Sequence, residues 1–453
     1  MISEKKTKTD TQPEDWLIRS SIVSPEVERG RSISRVPFAR ISGSASVQNY
    51  RLTDNTENGL NFSQTSFRVN LRAQRLFDKA LTFRLRTRTR RYSRARDYLA
   101  NDIPQSEWRN RLYELSFRYH NRNAPVNFSI GRIYSLPLSG IGYFDGAQLQ
   151  ANISRNFSAG ILAGKQPVSI NTESLSSLNK YGVFLTFTKD AFRLNKIGAT
   201  LAAVAEYSGS TVSREYVYFQ SNYHPNSKFS FFQSLELDIN RNWRKQRAGK
   251  TIAFSNLHIV MRYRFLPTLI AGIVFDNRRN YYTIEYIDID DFFFDDAPRT
   301  GLRANITTRL PGRFLFYGEI GLRFWNKEND GLNSTEQKKL VSGFSARISR
   351  SNFLIRRLSV DVFATRFNSL FSDGFTATTQ LGWRFPGGHQ ISVSYSKYNY
   401  DLSTADLFRK NDIIRLRVDW LGFRQIFFNS QLEIATGDDL NGPRFLVELG
   451  YLF

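Results

Sequence analysis

The stretch Leu81-Thr-Phe-Arg-Leu-Arg-Thr-Arg-Thr-Arg90 narrows the possible folds more than any other. Phe83, Leu85, Thr87 and Thr89 alternate with Arg84, Arg86, Arg88 and Arg90. A period of two is that of a β-strand, so the arginines share one face and the apolar residues the other. Such a strand needs water on one side and an apolar medium on the other. An Arg facing lipid costs about 2–4 kcal/mol at the midplane of a bilayer. Four on one strand cannot all escape to an interface, so the Arg stripe must face water.

The pattern recurs along the chain. Phe67, Val69 and Leu71 alternate with Arg68, Asn70 and Arg72; Tyr113, Leu115, Phe117 and Tyr119 with Glu114, Ser116 and Arg118. Phe314, Phe316, Ile320, Leu322 and Phe324 oppose Tyr317, Glu319 and Arg323, and Ile414, Leu416, Val418 and Trp420 oppose Arg415, Arg417 and Asp419. From residue 36 onward about twenty-two segments read as strands, with a range of 18–24 and no convincing amphipathic helix between them. Gap lengths alternate by parity. Even-numbered gaps are mostly short, as at Pro225-Asn226-Ser227, Leu266-Pro267 and Pro311-Gly312, while odd-numbered ones such as 92–109 and 280–298 are mostly long and polar. Short turns on one rim and long loops on the other are expected of a transmembrane barrel. The expectation is therefore all-β: a transmembrane antiparallel β-barrel over 36–453, preceded by a flexible polar arm over 1–35. Tyr281–Ile289 could add a strand and disturb the count. Trp325, Trp383 and Trp420 fall at strand ends, where an interfacial aromatic girdle is expected.

The chain closes on Arg444-Phe-Leu-Val-Glu-Leu-Gly-Tyr-Leu-Phe453, where Phe445, Val447, Leu449, Tyr451 and Phe453 form one stripe. This ending resembles the C-terminal signature of Gram-negative outer-membrane β-barrels, porins among them. The resemblance covers the last strand. It implies a bacterial outer-membrane location, contact with membrane lipid and lipopolysaccharide, and recognition of this stripe by the barrel assembly machinery. The parity of gap lengths then puts Phe453 at the periplasmic rim, and as the closing strand this stretch is expected to pair with the first, near 36–49. Met1–Asp10 has no apolar core of a secretory signal, so such a location requires an export signal that this sequence does not show. Large barrels that import actively carry a plug longer than the 35-residue arm, so a wide barrel here is expected to be open, narrowed by loops or filled by a partner.

Composition bounds the chemistry. Lys and Arg number 63 against 41 Asp and Glu, a net charge of +22 over 453 residues. The arginines alternate inside strands rather than clustering in helices or tails, which argues against nucleic-acid binding. The absence of Cys excludes disulfides and thiolate metal sites. Arg68, Arg72, Arg84, Arg86, Arg88, Arg90 and Arg118 would form a luminal arginine wall that attracts anions, or would fill the barrel by pairing with carboxylates on neighbouring strands. Further luminal candidates are Glu114, Glu319, Arg323, Arg415, Arg417 and Asp419. Glu285, Asp288, Asp290, Asp291, Asp295 and Asp296 crowd one long loop, which is either solvated, folded into the pore or a hard-cation site. Arg241, Arg244, Lys245, Arg247 and Lys250 form a basic external loop, solvated or against lipopolysaccharide.

Catalysis has thin support. Ser255 and His258 are close in sequence, but strict alternation puts them on opposite faces. No metal site, cofactor motif or catalytic residue is expected. The function expected is a passive channel with an Arg-rich lumen, favouring small anionic or polar solutes. The alternatives are a non-conducting scaffold of an envelope or secretion complex and, third, a barrel lipid hydrolase.

Overall fold

The computed structural model describes residues 39–55, 61–94, 106–121, 123–135, 137–167, 174–189, 196–279, 281, 283, 299–327, 337–369, 372–402, 407–422, 425–439 and 441–453. The chain divides into Met1–Pro37 and Phe38–Phe453. The arm expected over 1–35 and the six acidic residues between 285 and 296 lie outside the described residues.

The described residues form 22 strands. The first eight are β1 (Arg40–Leu52), β2 (Phe62–Leu76), β3 (Leu81–Arg94), β4 (Ser106–Tyr119), β5 (Val126–Tyr134), β6 (Tyr143–Asn152), β7 (Phe157–Pro167) and β8 (Ser174–Lys189). Next come β9 (Lys196–Ser208), β10 (Thr211–His224), β11 (Phe229–Ile239), β12 (Ile252–Leu266), β13 (Leu269–Arg278), β14 (Arg299–Leu310) and β15 (Phe314–Lys327). The last are β16 (Gln337–Ser351), β17 (Leu358–Asn368), β18 (Ser372–Arg384), β19 (Gln390–Leu402), β20 (Leu407–Leu421), β21 (Ile426–Gly437) and β22 (Gly442–Leu452). One short helix, α1 (Trp243–Ala248), lies between β11 and β12. No helix among the described residues is long and apolar enough to cross a membrane.

Each strand pairs antiparallel with the next, and β1 pairs with β22, so the sheet closes on itself. The seam runs from Ser44 opposite Leu452 to Leu52 opposite Arg444. Beyond the ladder, Gly43 N–H donates to the Phe453 carbonyl at 2.8 Å and Phe453 N–H returns to Gly43 at 3.1 Å. A Cβ on Gly43 would sit 2.2 Å from the Asn70 carbonyl, which reserves this position for glycine. Closure leaves no unpaired edge, which a barrel in lipid requires.

The two faces separate as alternation demands. Phe67, Leu115, Phe117, Ile320, Phe324, Ile414, Leu416, Phe445, Leu449 and Tyr451 are exposed on the outer wall. Their strand neighbours Arg68, Ser116, Glu319, Arg415 and Glu448 point inward. Trp420 is exposed near the C-terminal end of β20 and stacks on His389, with centroids 5.9 Å apart; Trp383 lies near Phe385 at the end of β18. The side chain of Trp325 lies outside the described residues. β13 pairs directly with β14, so no strand intervenes in the sheet between them and parity is preserved. Four odd connections span four residues or fewer, as short as the even ones: β9 turns into β10 through Gly209 and Ser210, β17 reaches β18 across 369–371, β19 reaches β20 across 403–406, and β21 reaches β22 across 438–441.

Three β-bulges bear on the lumen. On β4 the register shifts opposite Arg86 and Thr87, so that Leu112 and Glu114 pair while Tyr113 is extra. On β12 it shifts opposite Glu236 and Leu237 at Ser255, and on β10 between Val212 and Arg214 at Ser213. An inserted residue reverses the faces of the residues beyond it.

Candidate functional site

The lumen is the candidate site, and its wall divides into sectors of different chemistry. On β2–β4 the arginines gather as the alternation requires. Register sets Arg72 opposite Arg84, Arg68 opposite Arg88, Arg88 opposite Arg111, and Arg90 opposite Arg109. Arg109 and Arg111 join the wall because of the β4 bulge, which strict alternation did not foresee. The same bulge corrects the expected lipid-facing position of Tyr113. Its ring lies between Arg86 and Arg111, with guanidinium carbons 5.3 and 4.8 Å from the centroid. The signal for it, an extra residue before Glu114, is invisible to a period-two count.

Neutral groups hold much of this sector. Arg68 donates to the Gln48 amide oxygen at 2.5 Å, and Arg90 donates to the Tyr92 hydroxyl at 2.9 Å. Arg94 and Arg109 lie over the Tyr92 ring at 5.3 and 5.4 Å. Carboxylates are few: Glu448 is 3.7 Å from Arg68, Glu107 is 2.6 Å from Arg109, and Glu114 is 2.8 Å from Arg118 and 3.8 Å from Arg84. Arg118 also donates to the Tyr134 carbonyl at 3.0 Å.

On β5–β12 the lumen is filled. The connection between β5 and β6 turns inward through a 3₁₀ turn at Ser139–Ile141. Leu138 and Ile141 pack with Ile133, Phe144, Leu162, Phe184, Val204, Tyr216 and Tyr218 into a buried apolar cluster. Polar contacts latch the segment to the far strands. The Ser139 hydroxyl donates to Gln220 at 2.6 Å, the Gly140 N–H to the Tyr218 hydroxyl at 3.3 Å, and Lys180 Nζ to the Ile141 carbonyl at 3.1 Å. A Cβ on Gly140 would lie 2.4 Å from the Tyr218 ring, so glycine alone lets the turn approach. Sequence reading missed this element. Its signal was Leu138 and Ile141, apolar residues in a connection expected to be polar.

Above this cluster lies a buried ionic network. Arg214 meets Glu236 at 2.7 Å and Asp238 at 2.9 Å, and Arg244 meets Asp238 at 3.1 Å. Lys180 meets Glu206 at 2.9 Å. Arg214 is further covered by the Tyr216 and Tyr281 rings, at 4.0 and 3.5 Å. Arg244 is 1% exposed, which corrects, for this residue, the expectation of a basic loop that is solvated or against lipopolysaccharide. Helix α1 carries it inward, and Gly249 in the left-handed conformation ends the helix with a bond to Lys245. Arg241 pairs with Glu215.

The remaining candidates are luminal and mostly paired. Arg415 meets Glu433 at 2.7 Å, Arg444 meets the same carboxylate at 3.0 Å, and Arg417 meets Asp419 at 2.9 Å. Glu319 accepts from the Tyr317 hydroxyl, and Arg323 pairs across to Gly301 and Val341. The bulge on β12 turns Ser255 inward, which corrects its expected opposition to His258. Ser255 is nonetheless committed elsewhere: its hydroxyl accepts from Arg214 at 3.0 Å and lies 3.2 Å from Asp238. His258 faces Phe232 edge-on at 6.3 Å, so the two do not form a nucleophile–base pair. No group of three or more His, Asp or Glu suited to a metal occurs among the described residues.

No family model matches the chain, and no curated protein matches it. Solved structures do. The siderophore receptor PirA from Pseudomonas aeruginosa aligns over 93% of this chain and 81% of its own, at 12% identity and a TM-score of 0.54. A mutant of the ferric enterobactin receptor PfeA from Pseudomonas aeruginosa aligns over 91% and 80%, at 9% identity and a TM-score of 0.57. At these identities the likeness is one of fold. With the closed register and the two-faced strands, it shows the fold of this chain to be a closed 22-stranded antiparallel β-barrel, the fold it shares with these receptors.

Proposed function

We propose that the barrel is a passive outer-membrane channel whose arginine sector favours small anionic or polar solutes. The observation that carries this reading is how the β2–β4 arginines are held. Gln48, Tyr92 and Tyr113 position them without cancelling their charge. Fixed charge along a confined aqueous path raises the local concentration of counter-ions. The filled β5–β12 sector narrows the path and leaves the arginine sector beside it. The outer stripe of β22 supplies the surface for lipid, and Phe453 the terminal aromatic of an assembly signal.

The test is reconstitution into a planar bilayer under a KCl gradient. A reversal potential of the sign for anion preference is expected. Cation preference would overturn the selectivity, and absence of conductance would overturn the channel.

A second reading, a non-conducting scaffold, draws on the apolar cluster and ionic network that close β5–β12. A closed lumen together with a stoichiometric co-purifying partner would favour it. A luminal hydrolase has no support from Ser255, whose hydroxyl is engaged by Arg214.

A further inference from the structure

We propose that Arg68, Arg88 and Arg111 form a binding row for a solute carrying two or more phosphoryl groups. This rests on the channel reading only in that solute must reach the lumen. The three side chains lie directly side by side, one from each of β2, β3 and β4. Paired strands are about 4.8 Å apart, so three guanidinium groups stand at one level of the wall. Like charges placed directly opposite destabilise a sheet, and here two such pairs are consecutive.

The row is ordered without being neutralised. Arg68 is held by the Gln48 amide and has one carboxylate, Glu448, 3.7 Å away. Arg111 rests on the Tyr113 ring. Among the described residues, no carboxylate lies within ion-pair distance of Arg88 or Arg111, and Arg88 leaves its buried Nε without a hydrogen-bond partner. A ring face orients a guanidinium while leaving its N–H groups to donate. The like-charge pair Arg90 and Arg109 lies at the next level on one side of the row, and Arg86, between Asn70 and Glu114, at the next level on the other.

The geometry distinguishes among anions. A carboxylate offers two oxygens in one plane, which one guanidinium fork satisfies. A phosphoryl group offers three oxygens in a tetrahedral array and up to two charges, so it can accept from adjacent forks at once. A chain of phosphoryl groups extends that match along the row and to Arg90 and Arg109 beside it. Chloride, a single monovalent ion, cannot span several forks at once.

Calorimetric titration of the detergent-solubilised full chain with tripolyphosphate, citrate and chloride tests this without requiring conductance. One tripolyphosphate per barrel is expected, with citrate at least tenfold weaker. Arg88→Gln and Arg111→Gln should each weaken tripolyphosphate at least tenfold. Arg241→Gln, on the exposed loop, should leave it unchanged. Equal affinity for citrate, an equal loss in Arg241→Gln, or no loss at Arg88 and Arg111 would overturn the site. Tight tripolyphosphate binding by a barrel that does not conduct would refute the channel and leave this site standing.

Discussion

On β10 and β11, Arg214 is met by Glu236 and Asp238, whereas on β3 Arg88 stands between two more arginines. Both lie on the inner wall of one barrel, on strands with the same alternation. Around Arg214 each cation has a carboxylate, and apolar packing covers them. Around Arg88 no carboxylate lies within ion-pair distance among the described residues, and its neighbours Arg68, Arg90 and Arg111 are held by an amide, a phenol and an aromatic ring. The first arrangement turns arginine into a structural tie. The second leaves it as a charged surface facing the lumen. Residue type alone does not separate these fates; what the neighbouring strands present at the same level does.

The comparison can be broken most severely at Asp238. Asp238→Asn removes one of two carboxylates from Arg214 and the one 3.1 Å from Arg244. Breaking a buried ion pair from one side costs about 3–5 kcal/mol. Urea unfolding in lipid vesicles should show a loss of that size, and a loss below about 1 kcal/mol would place Arg214 in the same class as the exposed pairs. Next is Gly140→Ala. Its Cβ would meet the Tyr218 ring at 2.4 Å, so the inward segment must shift. Overpacking of this kind costs about 1–3 kcal/mol, and single-channel conductance should fall as the segment is pushed off the wall into the path. Unchanged conductance would remove the segment from the path.

Arg88→Gln should change stability by less than about 1 kcal/mol, with any change stabilising, because it relieves two like-charge pairs. The same substitution should reduce anion preference. Marked destabilisation would mean that Arg88 is a structural tie after all. The smallest effect is expected at Asp439, in the connection from β21 to β22. Burial raises its pKa, but donation from Tyr400 at 2.5 Å and Asn411 at 2.9 Å, with Arg409 at 3.4 Å, outweighs burial and holds it below the usual carboxylate range. A depressed folded pKa stabilises above the unfolded value of about 4, and that contribution is lost as pH falls through the folded value. Asp439→Asn should lower stability slightly at neutral pH and leave it least changed below the folded pKa, which flattens the acid side of the stability profile.

Much of the architecture was legible because lipid punishes error on one face. The Arg84–Arg90 stripe could only face water, and Phe83 and Leu85 then had to face lipid. The last strand pairs with the first, as the parity of connections required, and the strand number is the one read from alternation. What escaped reading was local or long-range. The bulges that turn Tyr113 and Ser255 inward insert single residues, and nothing in an alternating pattern marks where a ladder skips. The inward turn at Ser139–Ile141 depends on packing against Tyr218 and Phe184, residues of strands far along the chain. The burial of Arg244 depends on Asp238, which the sequence presents only as the polar end of β11.

Removal of charge from one sector tests the account most directly. Reversal potential in a KCl gradient should be measured for the native chain and for the combined Arg84→Gln, Arg86→Gln, Arg88→Gln variant. The account predicts anion preference in the native barrel and its collapse toward non-selectivity in the variant, with the folded state retained. An unchanged reversal potential in a conducting, folded variant would contradict it.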